Sequence, residues 1–319
     1  SDDKWANVRE RADILPKLSL PNDITRAIID VFGADGAEWL ARLPALLDDC
    51  ARRWNLTLEP HFTPLNYNYV APVILAGGQH AVLKAGVPNE ERQQEEDALR
   101  FFGGHGIIEL LRTDTERGVM LIERLQPGRP LTDVADDDEA TSIAAQVMSA
   151  LWRPLPADHQ FPTVADWGQG FAQLRARFDG STGPFETRLV EQAERLFDGL
   201  LASSAPPVLL HGDLHHQNIL SAERAPWLAL DPKGVAGEPA YEVGSLMRNP
   251  APGMFSWPHP EQLLLRRATI LAEALGFERQ RILAWSMAQA VLSAWWSYKM
   301  HGSGWEPMMV WAERIAHLL

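Results

Sequence analysis

The spacing of apolar positions changes character along the chain, and the changes mark its parts. Trp39, Leu40, Leu43, Leu46 and Leu47 recur at the three-and-four interval of one helix face, in a segment opened by Asp35 and Glu38. Ahead of it, Leu20-Pro-Asn-Asp reads as a cap before a helical run at 24–32. Residues 1–18 are mixed and charged without a period, which predicts a surface helix or a tether. From residue 59 the apolar runs shorten. Runs at 59–62, 67–70, 73–76 and 81–84, with a Gly77-Gly78 turn before the last, predict antiparallel strands and a hairpin. Runs at 107–111 and 119–122, around a turn at 113–118, complete a five-stranded sheet. Between them, 90–102 reads as a helix whose apolar side is Leu99, Phe101 and Phe102, stopped by Gly103-Gly104.

The second half is mainly helical. Helical spacing covers 140–152, 167–178, 184–201, 241–248, 260–276, 278–300 and 305–319, with no internal repeat. The acids at 136–139 suggest a metal cluster at first sight, but four acids before a helix are more simply first-turn residues that complement its dipole. Short strands at 208–210, 219–220 and 227–230 interrupt the helices. The pattern predicts an α+β chain, a small antiparallel sheet followed by a mainly helical part.

Length and composition fit this reading. The 319 residues suffice for two lobes with separate cores, and 46% hydrophobic with 22% charged residues is ordinary for a globular protein. No apolar run reaches the eighteen or more residues of a membrane span, and Ser1-Asp-Asp-Lys-Trp is unlike a secretory leader, so the expectation is a cytoplasmic protein without a membrane partner. The single cysteine, Cys50, excludes an internal disulfide and reads as a small apolar helix residue. A net charge of −13 argues against a nucleic-acid partner and suits a cationic small molecule, although an acidic surface also serves solubility.

The polar residues at the ends of the short C-terminal strands carry the chemistry. Asp213 is followed five residues on by Asn218, and Asp231 stands just after the next strand. Kinase-type phosphoryl transfer needs this set: one carboxylate takes a hydroxyl proton, while an amide and a second carboxylate hold magnesium on ATP. Lys84, closing the strand 81–84, is the candidate for the lysine that pairs the phosphates, and Glu90, Glu91, Glu95, Glu96 and Asp97 offer it partners. His211, His215 and His216 beside Asp213 raise a second reading, a zinc-dependent hydrolase. That reading leaves Lys84, Asn218 and Asp231 without a task.

His211-Gly-Asp213 with Asn218, Asp231 within Leu-Asp-Pro-Lys-Gly, and Gly-Glu-Pro-Ala-Tyr-Glu-Val at 237–243 resemble the aminoglycoside phosphotransferase family. The similarity runs from about residue 31 to the C-terminus and is strongest to the streptomycin 6-kinase and hydroxyurea-resistance kinase branch. It implies a protein-kinase-like two-lobe fold: 1–122 as helical entry and β-rich nucleotide-binding lobe, 123–129 as hinge, 130–319 as helical catalytic and substrate-binding lobe. It implies ATP and Mg2+ as cofactors and transfer of the γ-phosphate to a hydroxyl of a small molecule of the streptomycin type, with kinases of other sugars or amino alcohols as the alternative.

By the same resemblance Asp213 is the base, Asn218 and Asp231 hold the metal, and Lys84 oriented by Glu95 holds the phosphates. Glu123 and Leu125 meet adenine, and His211 supports the loop. Glu95 is chosen over Glu96 because its spacing to Leu99 matches the family motif. A glycine-poor stretch with Asn66 and Asn68 occupies the place of a glycine-rich phosphate loop, and Glu242 stands where the family has Asp. Lys233 is a further candidate for a phosphate or substrate contact. Met120 reads as core, and of Trp285, Trp295, Trp296, Trp305 and Trp311 some are expected to wall a substrate cleft. Oligomeric state has no signal in the sequence.

Overall fold

A computed structural model describes residues 20–65, 67–250, 253 and 257–319. The expectation for 1–18 and the candidate Asn66 therefore lie outside the described residues. The chain forms two compact units: the described residues up to Glu96 with Glu109–Arg124, and Asp97–Ile108 with Leu125–Leu319.

In the first unit, helix α1 (Asn22–Trp54) packs on a five-stranded antiparallel sheet. The strands are β1 (Leu56–Leu58), β2 (Tyr69–Leu75), β3 (His80–Ala85), β4 (Leu110–Asp114) and β5 (Val119–Glu123), in the order β1-β2-β3-β5-β4. The expected break between two N-terminal helical segments is a kink inside α1 at Gly33, whose φ of 58° other residues avoid. The expected side-chain cap is not made. Pro21 is the capping residue, Asn22 and Asp23 already lie inside the helix, and Thr25 N–H donates to the Pro21 carbonyl at 3.2 Å.

Alternation then builds the core. Ala71 and Val73, Ala81, Leu83 and Ala85, and Val119 and Leu121 point to one face and meet Ile28, Trp39, Leu43 and Leu47 of α1. Lys84 falls on the opposite face, between Val70 and Met120 in the register. Met120 is fully buried, as expected of core.

Three strand expectations need correction. The first strand begins at Leu56 rather than 59, because Asn55 in the left-handed conformation (φ 50°) ends α1 and turns the chain at once. The two short strands at 67–70 and 73–76 are one, β2. Pro72 does not break it, since it lies beyond the end of β1 and uses only its carbonyl, accepting from Glu59 N–H at 2.9 Å. The strand expected at 107–111 is β4 at Leu110–Asp114, because Ile108 N–H instead donates to the Ala229 carbonyl at 2.9 Å in the second unit. Helix α2 (Glu90–Phe102) follows β3 and ends where the glycines predict.

The second unit holds α3 (Asp137–Leu151), α4 (Val164–Arg177), α5 (Thr187–Ala202), α6 (Val243–Met247), α7 (Pro260–Leu275), α8 (Arg279–His301) and α9 (Glu306–Ala316). Two small sheets interrupt them, β6 (Pro127–Pro130) with β8 (Ile219–Ala222) and β9 (Trp227–Ala229), and β7 (Val208–Leu210) with β10 (Val235–Gly237). Part of the segment expected as a hinge is thus the strand β6.

The acidic run at 136–139 caps α3: the Asp136 carboxylate accepts from the Asp138 and Glu139 N–H groups at 2.8 and 3.2 Å. Asp137 pairs with the fully buried Arg267 of α7, which also donates to the carbonyls of Leu246 and Asn249. Arg267 thereby fixes the C-terminal end of α6, the helix that braces the site. Among the described residues no helix is long and apolar enough to cross a membrane.

Gly118 carries a testable constraint. Its φ is 67°, and an added Cβ would stand 2.3 Å from the Gly86 carbonyl oxygen, beside the strand that carries Lys84. Gly276, at the end of α7, has a similar φ of 73° with nothing within 4 Å. Gly276→Ala should cost about 1 kcal/mol, the strain of the left-handed conformation alone, and Gly118→Ala about 2–4 kcal/mol, because backbone must also move. Thermal melts of the two variants measure the difference, and equal losses would contradict it.

Candidate active site

In the second unit, β7 and β10 pair antiparallel and deliver residues 211–213 and 233–234 to a common end. The Lys233 and Gly234 N–H groups donate to the His211 carbonyl at 2.7 and 3.2 Å, which locks the two loops together. Gly212, at φ 84°, makes the turn that presents Asp213. A Cβ there would meet Trp167 at 2.8 Å, so the position has neither the conformation nor the room for a side chain.

His211 is fully buried. Its Nδ1 accepts from the Asp213 N–H at 3.2 Å, which leaves Nε2 to donate to the Leu230 carbonyl at 2.8 Å. Burial pushes its pKa down to about 4, so the ring is neutral and serves as a brace between two strand ends.

Glu242 is the second brace. Its two carboxylate oxygens accept from the His211 N–H at 2.6 Å and the Gly212 N–H at 2.9 Å. Burial raises its pKa to about 7, while those two hydrogen bonds pull in the opposite direction. The extra methylene over an aspartate does not prevent Glu242 from reaching the loop.

Asp213 is about one-third exposed. Its Oδ1 accepts the Ser245 hydroxyl at 2.7 Å and lies 3.8 Å from Arg248 Nη2, and its Oδ2 lies 3.8 Å from His215 Nε2. Burial alone would raise its pKa, but His215, Arg248 and the Ser245 hydroxyl outweigh it, and the net shift is downward. The carboxylate is thus ionised at neutral pH, the form a proton acceptor needs.

Asn218 Nδ2 donates to the Asp213 carbonyl at 2.9 Å, which orients the amide and leaves its oxygen as the end able to face a cation. Asp231 is held at φ 59°, a conformation Asp tolerates better than most residues and one that collects at functional positions. An amide oxygen and a carboxylate form a hard, oxygen-only donor set that suits magnesium, an ion that keeps waters and phosphates as its other ligands. The zinc reading has no such support. The imidazoles of His211 and His215 engage backbone groups, and among the described residues no three His, Cys, Asp or Glu side chains gather to hold a metal.

Asp213 opens on a cleft of ≈ 480 Å³ walled by Trp167, Gly170 and Gln173 of α4, by Ser293, Trp296 and Lys299 of α8, and by Lys233 and Arg248. Trp167 and Trp296 meet edge to face, 5.7 Å between centroids, so of the indoles expected at a cleft Trp296 is there, while Trp285 and Trp311 are fully buried core. Glu238 and Glu242, which lie near Asp231 in sequence, do not line it. Glu238 is buried against Arg281 and Trp285, and Glu242 grips the loop. Three cations and two acids, Asp166 and Asp213, surround the space, so the overall negative charge is not expressed here.

In the first unit, the buried Lys84 Nζ donates to Glu95 Oε1 at 2.6 Å. Glu96 is buried too, but it accepts from the hydroxyls of Thr113 and Thr115 at 2.7 and 2.6 Å. The acidic run of α2 is thus divided, with Glu90 and Glu91 exposed and Glu95 and Glu96 buried in specific bonds. Glu123, the last residue of β5, accepts the Glu109 N–H at 3.0 Å, and Leu125 opens the next stretch of the second unit. Asn68 accepts from the Arg92 guanidinium.

Ser245 and Arg248 were not among the candidates from sequence. A signal was there: Glu242, Ser245 and Arg248 are the polar positions of an otherwise apolar stretch and recur every third residue, one face of a helical turn.

The fold is protein-kinase-like. A crystal structure of an aminoglycoside phosphotransferase in ternary complex with ADP and hygromycin B matches with a TM-score of 0.59 and 15% identity, over 85% of this chain and 96% of that one. The chain belongs to the aminoglycoside/hydroxyurea antibiotic resistance kinase family, whose model matches residues 53–300. A streptomycin 6-kinase of Streptomyces glaucescens is 30% identical over 294 residues, 92% of this chain and 95% of that protein. A hydroxyurea phosphotransferase of Kitasatospora aureofaciens is 30% identical over 287 residues, 88% of this chain and 80% of that protein.

The buried carboxylate of Glu242 predicts a pH signature. Its folded pKa, about 7, exceeds its ordinary value, so the folded state binds the proton more tightly and this contribution to stability falls as pH rises from about 4.5 through 7. His211 acts in the opposite sense, losing stability as pH falls from 6.5 toward 4. Glu242→Gln removes the first effect and keeps the second. The melting temperature of the parent minus that of the variant should therefore be larger at pH 5 than at pH 8, and a difference that stays flat or grows with pH would contradict the assignment.

Proposed function

We propose that this kinase transfers the γ-phosphate of ATP, with magnesium, to a hydroxyl of a streptomycin-type aminoglycoside, in the cytoplasm where ATP is available. The observation that carries the reading is Asp213, an ionised carboxylate with one oxygen tied to Ser245, facing a cleft of small-molecule size. The relatedness to a streptomycin 6-kinase over most of both chains supports the acceptor class.

In this reading Asp213 accepts the proton of the acceptor hydroxyl, so that the oxygen is a better nucleophile as it meets the phosphorus. Asn218 and Asp231 would hold magnesium, which supplies charge neutralisation on the phosphates. Lys84, oriented by Glu95, holds the phosphates, Lys233 is a second cation for them, and the backbone at Glu123 and Leu125 meets adenine. His211 and Glu242 keep the loop in the shape that aims Asp213. Trp167 and Trp296 offer aromatic faces that suit the cationic groups of such an acceptor. The acidity of the whole chain supports this less, since the acids downstream of Asp231 are buried in structural bonds.

The two aspartates are separable by experiment. Asp213→Asn should cut kcat by a factor of about a hundred to ten thousand while leaving the stabilisation by magnesium and a non-hydrolysable ATP analogue intact. Asp231→Asn should abolish most of that stabilisation, because a neutral amide is a poorer ligand for a hard dication. Streptomycin phosphorylation followed by mass spectrometry, together with thermal melts, reads both. Loss of nucleotide binding in Asp213→Asn with turnover retained at saturating ATP would reverse the roles.

A further inference from the structure

We infer that Ser245 is a positioning residue for phosphoryl transfer: its hydroxyl fixes the Asp213 carboxylate so that Oδ2 alone takes the proton. The inference rests on the reading of Asp213 as the base. The Ser245 Oγ–H donates to Asp213 Oδ1 at 2.7 Å, and Arg248 approaches the same oxygen at 3.8 Å. Oδ2 has no hydrogen bond among the described residues, and the His215 Nε2 stands 3.8 Å from it, beyond hydrogen-bond reach. A carboxylate on a loop otherwise rotates about its terminal torsion, which is broad and roughly two-fold. Anchoring one oxygen removes that freedom, and it leaves the other with its lone pairs for the acceptor hydroxyl.

The anchor is itself rigid. Ser245 is buried, its carbonyl accepts from Asn249 Nδ2 at 2.9 Å, and it lies one turn beyond Glu242 on α6. A Cβ at Gly244, between them, would stand 2.4 Å from the Gln289 side chain, which is itself held by the Tyr241 carbonyl and by Arg248, so α6 packs closely on α8. Arg267 fixes the end of the helix through the Leu246 carbonyl. Glu242, which precedes α6, and Ser245 on it thus read three successive loop residues: Glu242 holds the N–H groups of His211 and Gly212, and Ser245 holds the side chain of Asp213.

The test is a double-mutant cycle on the full chain with magnesium, ATP and streptomycin. Ser245→Ala should lower kcat about ten- to a hundred-fold, the usual effect of losing a hydrogen bond to a charged group, with KM for ATP changed less than about twofold. Ser245→Thr, which keeps the hydroxyl, should recover most of the rate. In the Asp213→Asn background Ser245→Ala should cost nothing further, because its effect runs through that carboxylate. A crystal structure of Ser245→Ala should show the Asp213 carboxylate turned from its parent orientation. The proposal is overturned if Ser245→Ala stays within about twofold of the parent, if it slows Asp213→Asn by the same factor as the parent, or if the carboxylate is unmoved. Should Asp213→Asn alone keep the parental kcat, the assignment of the base itself fails, an outcome distinct from the others.

Discussion

A buried carboxylate accepting two consecutive backbone N–H groups is the constraint on which the site depends. Glu242 is surrounded by protein, yet it keeps both oxygens on the His211 and Gly212 amides, and burial lifts its pKa to about 7. Burying such a group is costly, and it is tolerable where hydrogen bonds replace water. What the fold gains is a loop whose path is dictated by a helix rather than by its own weak preferences. His211 then ties the loop to the strand end at Leu230, and Lys233 and Gly234 return to the His211 carbonyl. Removing any one of these would leave a buried polar atom facing nothing, so the set is mutually enforcing.

The first unit treats its own polar pair in the same manner. Lys84 lies on the face of β3 opposite the α1 core, and Glu95 of α2 meets it at 2.6 Å. Glu96 next to it accepts from one threonine hydroxyl near the end of β4 and one in the turn that follows, so neighbouring acids divide the work of holding the lysine and holding the turn. Both units set buried charges against fixed partners on short, rigid elements. Such groups keep their geometry before any ligand arrives.

Much of this was legible before the structure. The change from helical spacing to alternation located the sheet, and the order of Lys84, Asp213, Asn218 and Asp231 pointed to the kinase class to which the family belongs. Strand ends were misread where one residue overrode the pattern: Asn55 in a left-handed turn, Pro72 past the end of β1, and the Ile107-Ile108 pair, buried with the second unit. Composition carries no information on burial, so the bonds that Glu238 makes to Arg281 and Glu242 to the 211–212 backbone emerge only from the fold. Ser245 and Arg248 stayed hidden for a related reason. The recurrence of Glu242, Ser245 and Arg248 marks a helical face, but a hydroxyl acquires meaning only when the carboxylate it meets, thirty-two positions away, is in view.

The walls of the cleft differ in their freedom to vary. Gly212 lines it where an added methyl would strike Trp167, and behind it Gly244 of α6 stands where one would meet the Gln289 side chain. Gln173, Ser293 and Lys299, by contrast, line the same space from the long helices α4 and α8, away from the braced loop. Those three side chains can therefore be exchanged while the braced loop stays untouched. The molecule separates a tightly held loop from walls that can be recut, so the shape of the space can change while the frame that aims Asp213 stays as it is.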